Sequence, residues 1–174
     1  MWKIFISVLL VLCTACAKDH HKPVAQLTYT DFVSIGNGLY DLEFRSDIDL
    51  LNLFQRGEGF IGGMMHCALS DDTDFSIEHV LQQSGYGSIE SGAHGSSDQG
   101  FEFVATISFR ETFNEGRSSR SITEAELRAL LSGKATIPCK YVATIYGFKP
   151  YYSGTLMVPV RDVFRELDRS KGAE

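Results

Sequence analysis

No apolar run in this sequence reaches the ~20 residues that a helix needs to cross a bilayer. The run from Ile4 to Leu12 has about half that length and is broken by Ser7, so no permanent transmembrane anchor is expected. Positive charge is also in short supply: 16 Lys and Arg stand against 22 Asp and Glu, a formal net charge of −6. That balance argues against nucleic acid and anionic lipid as partners and is compatible with a basic protein partner. Catalytic signatures are missing too. There is no G-x-S-x-G elbow. The acids Asp71, Asp72, Asp74 and Glu78 lack the glycine and the terminal glutamate of a calcium-binding EF-hand loop. No internal repeat is visible.

What the chain does have begins with its first 17 residues. Trp2 and Lys3 give a short positive start, Ile4 to Leu12 an apolar stretch, and Thr14, Ala15 and Ala17 a slim end. Export needs that layout, because a signal peptide presents a positive flank, a short greasy helix and a small-residue cleavage site. Ala15-Cys16-Ala17 fits cleavage after Ala17, which releases a soluble protein. Thr14-Ala15-Cys16 fits equally a lipobox, which would leave Cys16 lipidated at the new N-terminus and carry the protein to the outer membrane. Losing Lys3 with the leader makes the net charge −7. The remaining chain of about 157 residues, rich enough in apolar residues at 44% of the whole sequence, suffices for one folded domain.

Besides Cys16, two of the four cysteines survive cleavage, Cys67 and Cys139. In an oxidising periplasm such a pair is most simply a disulfide; two buried free thiols or a metal pair are the alternatives.

Along the chain, residues 18–26 read as a flexible polar tether and 27–170 as a single domain. Leu27 to Ile35 and Leu39 to Arg45 alternate as strands around Gly36-Asn37-Gly38, a hairpin turn signal. Ile48 to Phe54 reads as one or two helical turns, Phe60 to Leu69 as a buried strand, and Phe75 to Gln83 as a helix. Ser84 to Gly100, with Gly and Ser in ten of its 17 places, reads as a long loop. Phe101 to Arg110 is the clearest strand, placing Phe101, Phe103, Ala105, Ile107 and Phe109 on one face. Thr123 and Glu126 form a capping box for the clearest helix. Tyr141 to Phe148 and Thr155 to Val160 read as a hairpin, followed by a short terminal helix. The expected fold is α+β, a mainly antiparallel sheet with two or three short helices packed on it.

Candidate chemistry is sparse. Met64-Met65-His66-Cys67 offers soft metal ligands, but strand alternation turns Met64 and His66 one way and Met65 and Cys67 the other. No metal and no cofactor is expected. His94 near Ser96, Ser97 and Asp98 lies on one glycine-rich stretch without the rigid placement that a triad needs, so the chain is not expected to be an enzyme.

The segment Asn114 to Ser121 reads as a polar loop that joins the strongest strand to the strongest helix. Arg117, Ser118, Ser119 and Arg120 there can enter a partner's cleft at low steric cost. Tyr151 and Tyr152, with Tyr146 and Phe148, form a second candidate partner surface near the last hairpin.

In its organisation the chain resembles the periplasmic immunity proteins of type VI secretion systems: export signal, one small domain, a cysteine pair and a projecting polar loop. That resemblance implies an inhibitor that occludes the active site of an envelope-targeting toxin or cell-wall hydrolase. Ser118 and Ser119 would then be the plug, and Arg117 or Arg120 the flanking anchors. The other reading is an outer-membrane lipoprotein with a structural or assembly role in the cell envelope.

Overall fold

The computed structural model describes residues 17–54, 59–97 and 100–171; for 93–97, 170 and 171 it describes the backbone alone. Residues 1–16 of the leader, Cys16 among them, lie outside the described residues.

Asn37 and Gly38 both adopt left-handed backbone, at φ of 54° and 72°. That geometry matches the right-handed twist of the strands it joins. It links β1 (Leu27–Gly36) to β2 (Leu39–Ser46). The other elements are β3 (Phe60–Ala68), β4 (Gln83–Ser97), β5 (Gly100–Phe113), β6 (Ser118–Ser121), α1 (Glu124–Leu131), β7 (Thr136–Ile145), β8 (Tyr151–Tyr152), β9 (Leu156–Pro159) and α2 (Val160–Lys171). Among the described residues the nine strands form one antiparallel sheet, ordered β1-β2-β5-β4-β3-β7-β8, with β6 also on β5 and β9 on β7. The α+β expectation holds at this level, with two short helices.

Alternation decides which face is core. On β5, Phe103, Ala105, Ile107 and Phe109 are all at most 4% exposed. Phe32 and Phe109 flank Tyr40, with ring centroids 5.2 and 5.3 Å from it. α1 adds Leu127 and Leu131 to this face, and α2 adds Val160, Val163 and Leu167. α1 begins as its sequence indicates: Thr123 Oγ1 accepts from the Glu126 amide and Glu126 accepts from the Thr123 amide. Cys67 and Cys139 sit directly opposite each other on β3 and β7 and are bonded as a disulfide.

α2 also treats the free edge of β1. Glu166, 1% exposed, accepts from the Ser34 amide at 3.1 Å, and Arg165 donates to the Phe32 carbonyl at 3.2 Å. Tyr29 donates to Asp162 at 2.9 Å. Helix side chains thus take the hydrogen bonds that another strand would have made.

Four expectations give way. Ser84 to Gly100 is not a loop, because most of it is β4, paired with β3 and β5. Its glycines are there for space: a Cβ on Gly85 would meet the Phe109 ring at 2.8 Å, and one on Gly87 the Thr106 carbonyl at 1.8 Å. Ile48 to Phe54 and Phe75 to Gln82 form bends and turns instead of helices; the apolar side chains that suggested helical periodicity anchor irregular chain, as Leu50 and Leu81 do. Nor is the stretch from Lys18 to Gln26 a free tether. Lys18 pairs with Phe148, Ala25 is fully buried, and the Ala25 amide donates to the Tyr151 hydroxyl at 2.8 Å.

Candidate functional site

On the sheet face opposite the core, alternation leaves Met64 and His66 of β3 beside Ser84 and Tyr86 of β4, and Val142 and Thr144 of β7. Their core-facing neighbours Met65 and Cys67 are at most 1% exposed. The segment that follows β3 folds back over this outer face and makes a wall of Phe75, Ile77, Val80 and Leu81. Between wall and sheet lies an open groove of about 540 Å³, within the range of clefts that take a small molecule or a protruding side chain.

The wall is irregular because aspartates hold it by local hydrogen bonds that compete with a helix. Asp72 accepts from the Asp74 amide at 3.1 Å and Asp74 from the Ser76 amide at 2.9 Å. Asp72 also pairs with His79 Nε2 at 2.6 Å. At the far side Tyr152 accepts from the Ile77 amide at 3.2 Å, and the Gln82 carbonyl accepts from the Thr112 amide at 2.6 Å. Of the four acids weighed as calcium ligands, Asp72 and Asp74 are therefore turn-formers, and Asp71 pairs with Lys134. Among the described residues no three His, Cys, Asp or Glu side chains converge as metal ligands.

Polar features of the floor are few and placed in a row. The His66 and Tyr86 rings stack with centroids 6.4 Å apart, and the Arg110 guanidinium sits 3.7 Å from the Tyr86 centroid. Tyr86 is thus flanked from the two neighbouring strands. Burial holds the His66 pKa below its ordinary 6.5, which keeps the ring neutral, whereas the hydrogen bond to Asp72 raises that of His79. The groove therefore offers apolar contact, a neutral imidazole and a cation-backed phenol. That chemistry suits recognition.

The residues singled out from the sequence divide around this groove. Gly116 lines it, at the tip of the turn between β5 and β6, so the exposed Arg117 stands at its border with its side chain 82% exposed. Ser118 and Ser119 do not project on a loop: they belong to β6, opposite Phe113 and Thr112 of β5. Arg120 is exposed but already paired within the chain, with Glu111 at 2.6 Å and Glu126 at 2.9 Å. Tyr151, 1% exposed, is a core residue whose hydroxyl donates to the Pro23 carbonyl at 3.0 Å. Tyr152 is half-buried against the groove wall. Cys16 and the side chain of His94 lie outside what is described. Sequence reading missed Ile77, Val80 and Tyr86; the alternation of Met64 and His66 against Met65 and Cys67 was the one signal that an outer face existed.

No family model, no curated protein and no solved structure matches the chain.

Proposed function

We propose that this is an exported periplasmic binding protein, of the immunity kind, that neutralises an envelope-targeting toxin or cell-wall hydrolase by contact, and that the outer-face groove is the centre of its interface. One observation carries the reading. The groove is apolar, and its wall presents Ile77 at 53% and Val80 at 41% exposure beside a neutral His66. Apolar anchors around a pocket that a partner's side chain can enter are the usual seat of binding energy. Arg117 at the border supplies a charged point for orientation. The protein works in the periplasm, either free or held to the outer membrane through Cys16.

Where a toxin or cell-wall hydrolase is encoded beside this protein, it is the partner to test. The two proteins should form a stable complex in which hydrolysis is lost, burying on the order of 1,600 Å². Ile77→Asp combined with Val80→Asp should weaken binding at least about tenfold, or ~1.4 kcal/mol, and Arg117→Glu should act mainly on the association rate. Titration calorimetry that finds unchanged affinity in the double variant would remove the groove from the interface.

A further inference from the structure

A second apolar surface lies at the corner where β3 begins and β7 ends. The Tyr146 amide donates to the Gly59 carbonyl at 2.7 Å, and Phe60 pairs with Ile145, so Phe60, Ile61 and Tyr146 share one corner. Their exposures are 47%, 66% and 80%. Below them the buried Phe54 stacks on Phe60 at 6.3 Å and on Tyr151 edge-on at 6.0 Å, which gives the corner a firm base. Large side chains left this open on one corner need a partner.

The course of the N-terminal chain says which. The Lys18 amide donates to the Gly147 carbonyl at 3.0 Å, and the Lys149 amide donates to the Lys18 carbonyl at 2.8 Å. Lys18 is therefore fixed beside the residue that follows Tyr146. Two residues of chain reach at most ~7 Å, so a lipid on Cys16 would enter a bilayer right next to this corner. We propose that Phe60, Ile61 and Tyr146 form a membrane-apposed face that lies against the bilayer to which Cys16 tethers the chain. The inference rests on the lipidated form of the export reading, and the corner meets the groove at Ile61, which lines both.

The chemistry fits a zwitterionic interface. Tyrosine prefers the headgroup level, with its ring among acyl chains and its hydroxyl in water. Lys18, Lys22 and Lys149 surround the corner, and Lys22 lies 5.3 Å over the Phe54 ring; long lysine stems can lie along such a surface with their ammonium groups at the phosphates. Asp19 offsets Lys149 at 2.9 Å, and with the net charge of −7 left after the leader and its Lys3 are removed it leaves no reason to expect a preference for anionic lipid. Three side chains bind a bilayer weakly alone. A tether this short holds them there at an effective concentration in the millimolar range.

The test uses two properties of the chain. Its one tryptophan, Trp2, leaves with the leader, and Cys67 is bonded to Cys139. A chain that starts at Cys16 therefore has a single thiol, which can be coupled to a maleimide phospholipid, and Tyr146→Trp gives it a single indole. On phosphatidylcholine vesicles, emission of this variant should shift to shorter wavelength and be quenched by bromine-substituted acyl chains. Leu39→Trp, at the tip of the β1–β2 hairpin, should show neither effect. Adding Phe60→Asp to the Tyr146→Trp chain should reverse most of the shift. Water-like, unquenched emission of the tethered Tyr146→Trp protein overturns the proposal, as does a shift that appears only on adding a protein partner or raising the protein concentration. Fractionation of the native chain as fully soluble, identical to Cys16→Ser, overturns it differently, by removing the tether. Either failure leaves groove binding untouched.

Discussion

Gly87 has no room for a side chain, since the Thr106 carbonyl lies where its Cβ would be. Gly62 lines the groove and has nothing within 4 Å of that position. The two glycines should therefore respond in opposite ways. Gly87→Ala is expected to cost about 1–3 kcal/mol in urea unfolding, or more, because backbone must move. Gly62→Ala should leave the unfolding midpoint nearly unchanged while it narrows the groove and weakens whatever binds there. The histidines differ just as clearly. In an NMR titration His66 should have its midpoint below 6.5 and His79 above it. The signs follow by linkage. His66 is neutral in the fold, so its contribution makes stability fall as pH drops below 6.5. His79 gains a partner when charged, so its contribution is full below 6.5 and is lost as pH rises through its folded value. His66→Gln should flatten the first trend and Asp72→Asn the second, read as the change in thermal midpoint across mildly acid pH. None of this was legible beforehand. In sequence a glycine needed for space looks the same as one needed for a turn, and that is why β4 passed for a loop.

Elements were legible where their signals are local. The Asn37-Gly38 turn, the alternation of β5 and the Thr123–Glu126 cap each depend on a few adjacent residues, and each stands in the fold as its sequence indicates. Thr123→Ala should cost about 1 kcal/mol. The Arg120 guanidinium, followed by the Thr123 amide and hydroxyl, holds the Glu126 pKa down to about 2 against 4.5 when free. Its contribution to stability is accordingly present above 4.5 and disappears as pH falls toward 2, and acid titration of Glu126→Gln should lack that component. The covering of the β1 edge by α2 could not be read, because Ser34 and Glu166 are 132 residues apart. Glu166→Ala leaves the half-buried Ser34 amide without its acceptor, for an expected loss of ~1 kcal/mol. It also uncovers an edge that can pair with another chain, so concentration-dependent dimers should appear in size-exclusion chromatography.

At the scale of the whole molecule the disulfide was the long-range feature that sequence could suggest, because few cysteines leave few pairings. Its sulfurs are buried and close a separation of 72 residues. Replacing both by alanine should lower stability by about 4 kcal/mol in the chain-entropy model, seen as a lower guanidinium midpoint. The groove was not legible, since it exists only when the wall of residues 70–82 crosses strands brought together from three parts of the chain. The free loop expected at Ser118 and Ser119 did not form for a related reason: β5 was long enough to recruit them as a partner strand.

The strand order also dictates a timetable. β2 pairs with β5 and β3 with β4, so the first five strands can form a contiguous β1-β2-β5-β4-β3 sheet, but the other side of β3 stays open until β7 is present. In a chain that folds from its N-terminus, Cys67 on that open edge would stay unbonded until Cys139 arrived with β7. That half-paired strand is the one stretch of the early sheet that can capture a second chain before its own β7 closes it.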